Sequence, residues 1–161
     1  MIRLFFVFII LVTAEEEVLH VQGKVTAVHD GNTMDVLTTD GERYHLVLKG
    51  IDCPELKQTF GKEAKRCLQK LVLHRKVEVE LHGKDRLRNY VGVVWLEQTG
   101  DVRLPLLREG LAWTSEKDQL PELEALRTEA MQKKKGLWKQ ENPIPPWEFR
   151  RQESMSEPKS R

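Results

Sequence analysis

Between residues 18 and 97 the spacing of apolar side chains changes period twice, and this limits the fold more than any other feature of the chain. Residues 18–28 alternate, with Val21, Gly23, Val25 and Ala27 on one side and Gln22, Lys24 and Thr26 on the other. Period two predicts a half-buried strand. Residues 33–38 and 43–49 read as further strands, and Asp40-Gly41 between them is a hairpin-turn signal. The spacing then becomes helical. Phe60, Ala64, Cys67, Leu68 and Leu71 share one face, opposite Lys62, Lys65, Arg66 and Lys70. Alternation returns at 76–82, where Val77, Val79 and Leu81 alternate with charged residues, and a mostly apolar strand follows at 90–97.

Three strands, a helix and two more strands suit a small closed Greek-key barrel, the OB-fold. Residues 50–55 read as a loop, because Pro54 lacks the donor that continued pairing needs. Thr99-Gly100-Asp101 turns the chain, and residues 104–109 form a short helix stopped by Gly110. Pro121 suits the first turn of a last helix, with Leu123, Leu126 and Ala130 on its buried face and Gly136 at its end. The expected class is mainly β with helices (α+β), a five-stranded barrel with three helices, over residues 15–141. Residues 142–161 form a Pro-rich polar tail carrying Trp147 and Phe149. Its first half is expected to pack back on the barrel, and residues 153–161 are expected to be disordered.

The N-terminus is a separate object. A short basic start, an apolar run over residues 4–12 and the small-x-small triplet Val12-Thr13-Ala14 predict a signal peptide at 1–14 and an exported protein. The run is much shorter than the roughly 20 residues that span a bilayer as a helix. No cysteine marks a lipid anchor, so no membrane attachment is expected. Export permits a bond between Cys53 and Cys67, but a free thiol on the helix face is the simpler expectation. Net charge is only +1, so any nucleic-acid-binding surface must be local.

Four segments carry a resemblance. They are Asp30-Gly31-Asn32-Thr33, Gly50-Ile51-Asp52-Cys53-Pro54-Glu55, Phe60-Gly61-Lys62-Glu63-Ala64 and Gly110-Leu111-Ala112-Trp113. In this order they resemble the staphylococcal nuclease (thermonuclease) family over roughly residues 18–138. The resemblance implies Ca²⁺-dependent phosphodiester hydrolysis of DNA or RNA. It implies metal ligation by Asp52, the Cys53 backbone carbonyl and the position held by Asn32, with Asp30 nearby. It makes Glu55 the residue that directs the attacking water. Hard cations take oxygen ligands, and an amide at 32 removes one negative charge, which weakens the metal site.

The family also clamps phosphate with two arginines. The first belongs five residues before Asp52, where Val47 stands. The second closes an Asp-Arg-Tyr-Gly-Arg run. Matched on its tyrosine, the run reads Arg88-Asn89-Tyr90-Val91-Gly92, which leaves Gly92 in that place. Losing one transition-state donor costs about 10²–10³ in rate. Candidate replacements are His45 and Lys49, on the strand face of Val47, and Arg86 and Arg88, before Tyr90, which could itself meet a nucleotide. Hydrolysis is therefore expected to be weak or lost. The alternative is a barrel that binds nucleic acid or a protein without cleaving, the latter through the same groove or the Trp147 tail. A monomer is expected.

Overall fold

Pairing begins with β1 (Leu19–Val28), which serves two walls at once. The first half of β1 pairs with β5 (Lys76–Lys84) from Leu19 to Lys24, and the second half pairs with β2 (Thr33–Thr38). A register shift between Val25 and Ala27 bends the strand between them, as a bulge does. β3 (Arg43–Leu48) continues antiparallel from β2, and β6 (Tyr90–Leu96) continues antiparallel from β5. A parallel pairing of β3 with β6, Leu46 opposite Tyr90 and Leu48 opposite Gly92, closes the ring. The five strands form a mixed OB-type barrel in a computed structural model that describes residues 18–116 and 119–156. The signal peptide expected at 1–14 lies outside the described residues.

Alternation becomes burial. Val25, Met34, Val36, Leu46, Leu48, Val79 and Val94 all point inward and are fully buried. Each such side chain contributes about 1.5–3 kcal/mol relative to exposure. The helix α1 (Gly61–Val72) adds Ala64, Leu68 and Val72 to this core. The helices α2 (Arg103–Arg108) and α3 (Pro121–Gln132) add Leu106, Leu107 and Leu123, with Pro121 in the first turn of α3 as expected. Among the described residues no helix is long and apolar enough to cross a membrane. Cys53 and Cys67 are both free thiols.

Four local expectations change. The 50–55 segment is not all loop: β4 (Ile51–Asp52) pairs with β8 (Trp113–Thr114). Gly100 and Asp101 form β7, a short partner of β6, rather than a bare turn. α3 ends at Gln132, and Gly136 instead opens a 3₁₀ turn, Gly136–Lys139. The tail contains a fourth helix, α4 (Pro146–Ser156), so residues 153–156 are helical rather than disordered. Residues 157–161 lie outside the described residues. α4 is anchored to the barrel: Pro146 is buried, Trp147 meets Trp113 edge-on at 5.7 Å, and Lys57 pairs with Glu153 at 2.8 Å.

Candidate active site

The turn between β1 and β2 presents Asp30 and Asn32. Asp30 Oδ1 accepts from the Asn32 backbone N–H at 2.9 Å, the local bond that makes aspartate a turn residue. Asn32 is 9% exposed, and its Oδ1 accepts from the Cys53 N–H at 3.3 Å. That bond ties the turn to the β4 segment. A side chain at Gly31 would collide with Cys53 and Ala64, and one at Gly61 would meet the Glu55 carbonyl. Both glycines therefore allow backbones to close around the acidic loop. Beneath it, Arg103 and Asp101 form a buried ion pair (2.6 Å), and Arg103 Nη1 donates to the Lys49 carbonyl at 2.9 Å. This pair braces the Lys49-Gly50 bend that delivers Asp52.

These elements converge on one cleft of about 610 Å³. Asp30, Asn32, Asp52, Cys53 and Glu55 all line it, with Val47, Lys49, Trp147 and Arg150. Asp85 and Glu116 bring the carboxylates to five, against two cationic side chains. A phosphodiester would be repelled from such a cleft unless a cation sat among the carboxylates. The donor set is all oxygen: carboxylates, the Asn32 amide and the Cys53 carbonyl. It fits a hard divalent cation and not a soft one. Burial pushes the Asp52 carboxyl above its ordinary value, against the opposing effect of Arg150. Burial, with Asp52 close by, also pushes the Cys53 thiol well up, which keeps it protonated and inert.

Arg150 is the residue that sequence reasoning missed. Its Nη1 donates to Glu55 Oε1 at 2.6 Å and to Asp52 Oδ1 at 3.3 Å, and its Nη2 donates to Asp52 Oδ2 at 2.7 Å. The hydrogen bond to Asp52, and then that to Glu55, raises the arginine's own pKa against the effect of burial. A guanidinium thus stands where the carboxylates call for a cation. The sequence held a signal for its helix, though not for where that helix docks. Pro146 is a helix-start residue, and Trp147 and Arg150 are three apart, on one helical face.

The other predicted residues separate. Lys49 lines the cleft, and its Nζ donates to His82 Nδ1 at 3.1 Å. His45 instead bonds Asp35 at 2.7 Å, beside His29. Burial raises the Asp35 carboxyl, but the hydrogen bonds from His45 and His29 outweigh it and hold the group below its usual value. Arg86 and Arg88 are exposed and outside the cleft lining, although Asp85 and Leu87 of the same loop belong to it. Tyr90 also lies outside the lining. It packs edge-on against Tyr44 at 4.8 Å, with Lys84 Nζ 4.2 Å above its ring.

Gly92, the position matched to the second family arginine, has no room for a side chain. A Cβ there would meet the Glu80 carbonyl at 2.6 Å and Leu46 at 3.1 Å, inside the wall. Arg88 has φ 67, the left-handed region that glycine favours. The same loop is held by Asp85, whose Oδ2 accepts from Asn89 Nδ2 at 2.9 Å.

Comparison with known proteins identifies the family. A model of the family described as "Staphylococcal nuclease homologue" matches residues 45–140. "Protein ParB" of Escherichia coli is 32% identical over 154 residues, covering 89% of this chain and 86% of its own length. An "Uncharacterized endonuclease" of Haemophilus influenzae is 32% identical over 134 residues, 83% of this chain and 75% of that one. "Probable staphylococcal-like nuclease CAN1" of Oryza sativa is 37% identical over 111 residues, 68% of this chain but 33% of that longer protein. With an acidic cleft framed by a closed five-stranded barrel, and a family match that starts within β3 and spans more than half of the chain, the chain belongs to the staphylococcal nuclease homologue family.

Proposed function

We propose that this protein is an exported, Ca²⁺-dependent phosphodiesterase acting on DNA or RNA, in which Arg150 of α4 supplies the cationic phosphate donor that Val47 and Gly92 cannot. The bonding of Arg150 to both Asp52 and Glu55 carries the reading. Asp52, Asn32, Asp30 and the Cys53 carbonyl would hold the cation. When bound, the cation polarises a phosphate oxygen as a Lewis acid. Glu55 accepts the proton of the water whose oxygen attacks phosphorus, while the P–O ester bond opposite breaks and its alkoxide oxygen leaves with a proton from solvent. Arg150, carried beside these carboxylates, donates N–H groups to the phosphate as its charge grows. One arginine in place of two predicts slower turnover than a barrel carrying both.

The test is hydrolysis of single-stranded DNA, with calcium and with chelator, by the wild type and Arg150→Ala. The guanidinium competes with a cation for Asp52 and serves the phosphate during turnover. Arg150→Ala should therefore bind Ca²⁺ more tightly yet lower kcat about 10²–10³-fold. A variant that gains calcium affinity and also cleaves faster would make Arg150 an inhibitory plug and overturn its assignment. Folded wild type that binds DNA with or without chelator and never cleaves would select the non-catalytic alternative.

A further inference from the structure

A second cluster lies outside the cleft and uses different chemistry. His29 Nε2 sits 3.0 Å and His45 Nδ1 sits 2.7 Å from the same oxygen, Asp35 Oδ1, and the three atoms lie within 4.8 Å of one another. The imidazole centroids are 4.8 Å apart. Backbone pairing fixes all three positions. Asp35 and His45 are direct partners across β2 and β3, and His29 follows β1, with its N–H bonded to the Thr33 carbonyl at 2.9 Å. The Asp35 side chain is 13% exposed, whereas the histidines are 43% and 46% exposed. The carboxylate thus forms the floor, and the rings form two walls with an open outer side.

We infer that His29, Asp35 and His45 form a binding site for a divalent transition metal of the zinc class, separate from the oxygen-lined cleft. Two imidazoles and one carboxylate on three paired segments are a ligand set for borderline metals, whereas calcium takes oxygen alone. Bonds of 2.0–2.1 Å in a tetrahedron place ligand atoms about 3.3 Å apart. The two nitrogen–oxygen separations are slightly shorter than this and the two nitrogens lie within 4.8 Å of each other, so binding requires the exposed rings to move out from the carboxylate and settle around the ion. Three protein ligands leave at least one position open, on the solvent side. On β2 and β3 that side is shared with Thr33 and Val47, which line the cleft two residues along each strand.

The proposal is tested by titrating untagged, metal-stripped protein with Co²⁺ and Zn²⁺. Visible absorption reads the coordination, and a chelating dye competing for Zn²⁺ reads the affinity. One equivalent should bind. Asp35→Asn and His45→Gln should each weaken it at least about tenfold. Excess Ca²⁺ and the cleft variant Asp52→Asn should leave it unchanged. Because both histidines are exposed, His45→Gln and His29→Gln keep the test open if Asp35→Asn unfolds, with melting curves as the control. Three outcomes overturn the site: no Co²⁺ spectrum from folded wild type, equal affinity in the His45 and His29 variants, or loss of binding in Asp52→Asn. None depends on whether the protein cleaves nucleic acid.

Discussion

Asp52 and Glu55 lie three residues apart and share one arginine, yet their surroundings differ. Asp52 sits in a two-residue strand and is mostly buried. Glu55 is the more open of the two, and its backbone is pinned by Gln58, whose Oε1 accepts from the Glu55 N–H at 2.8 Å. A buried carboxylate suits a fixed cation, and an open one suits proton transfer. Glu55→Gln keeps the shape and removes the base. It should lower hydrolysis by about 10²–10⁴-fold with an unchanged melting temperature, and an unchanged rate would remove Glu55 from the chemistry. Val47 is half-buried on the cleft wall, so Val47→Arg should project a donor into the cleft and raise kcat. The check is turnover at saturating calcium alongside a melting curve, since that arginine could also strain the wall. Tyr44 offers a pH test away from the site. Its hydroxyl donates to Glu42 at 2.6 Å, and this bond, followed by burial, pushes the phenol up from 10.0 to about 12. The folded state therefore holds that proton more tightly than the unfolded chain does. The contribution is fully present below pH 10 and is lost as pH rises through about 12. Denaturant titrations across this window should show a steeper fall in stability for wild type than for Tyr44→Phe.

At the scale of elements, α4 decides what the cleft contains. It reaches the barrel through an aromatic row in which Trp113 meets Trp138 at 4.6 Å and Trp147 at 5.7 Å. Gln58 of the acidic loop also donates to the Ile144 carbonyl at 3.0 Å. Trp147→Ala should release α4 and mimic Arg150→Ala in activity. The barrel core does not include α4, so the melting temperature should move by no more than about 4 °C, read by calorimetry. Retained activity in Trp147→Ala would mean that α4 does not hold Arg150 in place. The turn from β7 into α2 has the opposite character. Asp101→Asn leaves Arg103 buried with its partner's charge removed, and breaking such a pair costs about 3–5 kcal/mol. Chemical denaturation should show that loss, and the Lys49-Gly50 bend above it should loosen.

For the whole molecule, near-neutral net charge and an acidic cleft set the terms of binding. Surface cations such as Lys62, Lys65 and Lys70 on α1 are spread over an outer helix face, so a polyanion is not drawn in by bulk charge. Affinity for single-stranded DNA should therefore depend on calcium more than on ionic strength. Chelation should weaken it sharply, and the slope of log K against log salt should correspond to few phosphate contacts. A steep, chelator-insensitive salt dependence would place the nucleic acid on the outer cations instead of the cleft.

Much of this was legible in one dimension. Period-two and helical spacing identified the five barrel strands and α1, because burial on one face imposes those periods on any sequence that folds this way. The acidic turn and loop were legible as the short segments that hold Asp30, Asn32, Asp52 and Glu55, and the fold brings all four to one cleft. The sequence by itself thus determined the five-stranded barrel and the order of its strands and first helix. Only the tertiary structure decided which cation faces the carboxylates of the cleft. Arg150 lies 98 residues from Asp52 along the chain, and side-chain spacing carries no information across that distance. The same holds for the cluster at His29, Asp35 and His45, and for the brace from Arg103 to Lys49. Each depends on strand closure or helix docking, and those contacts exist only once the chain has folded.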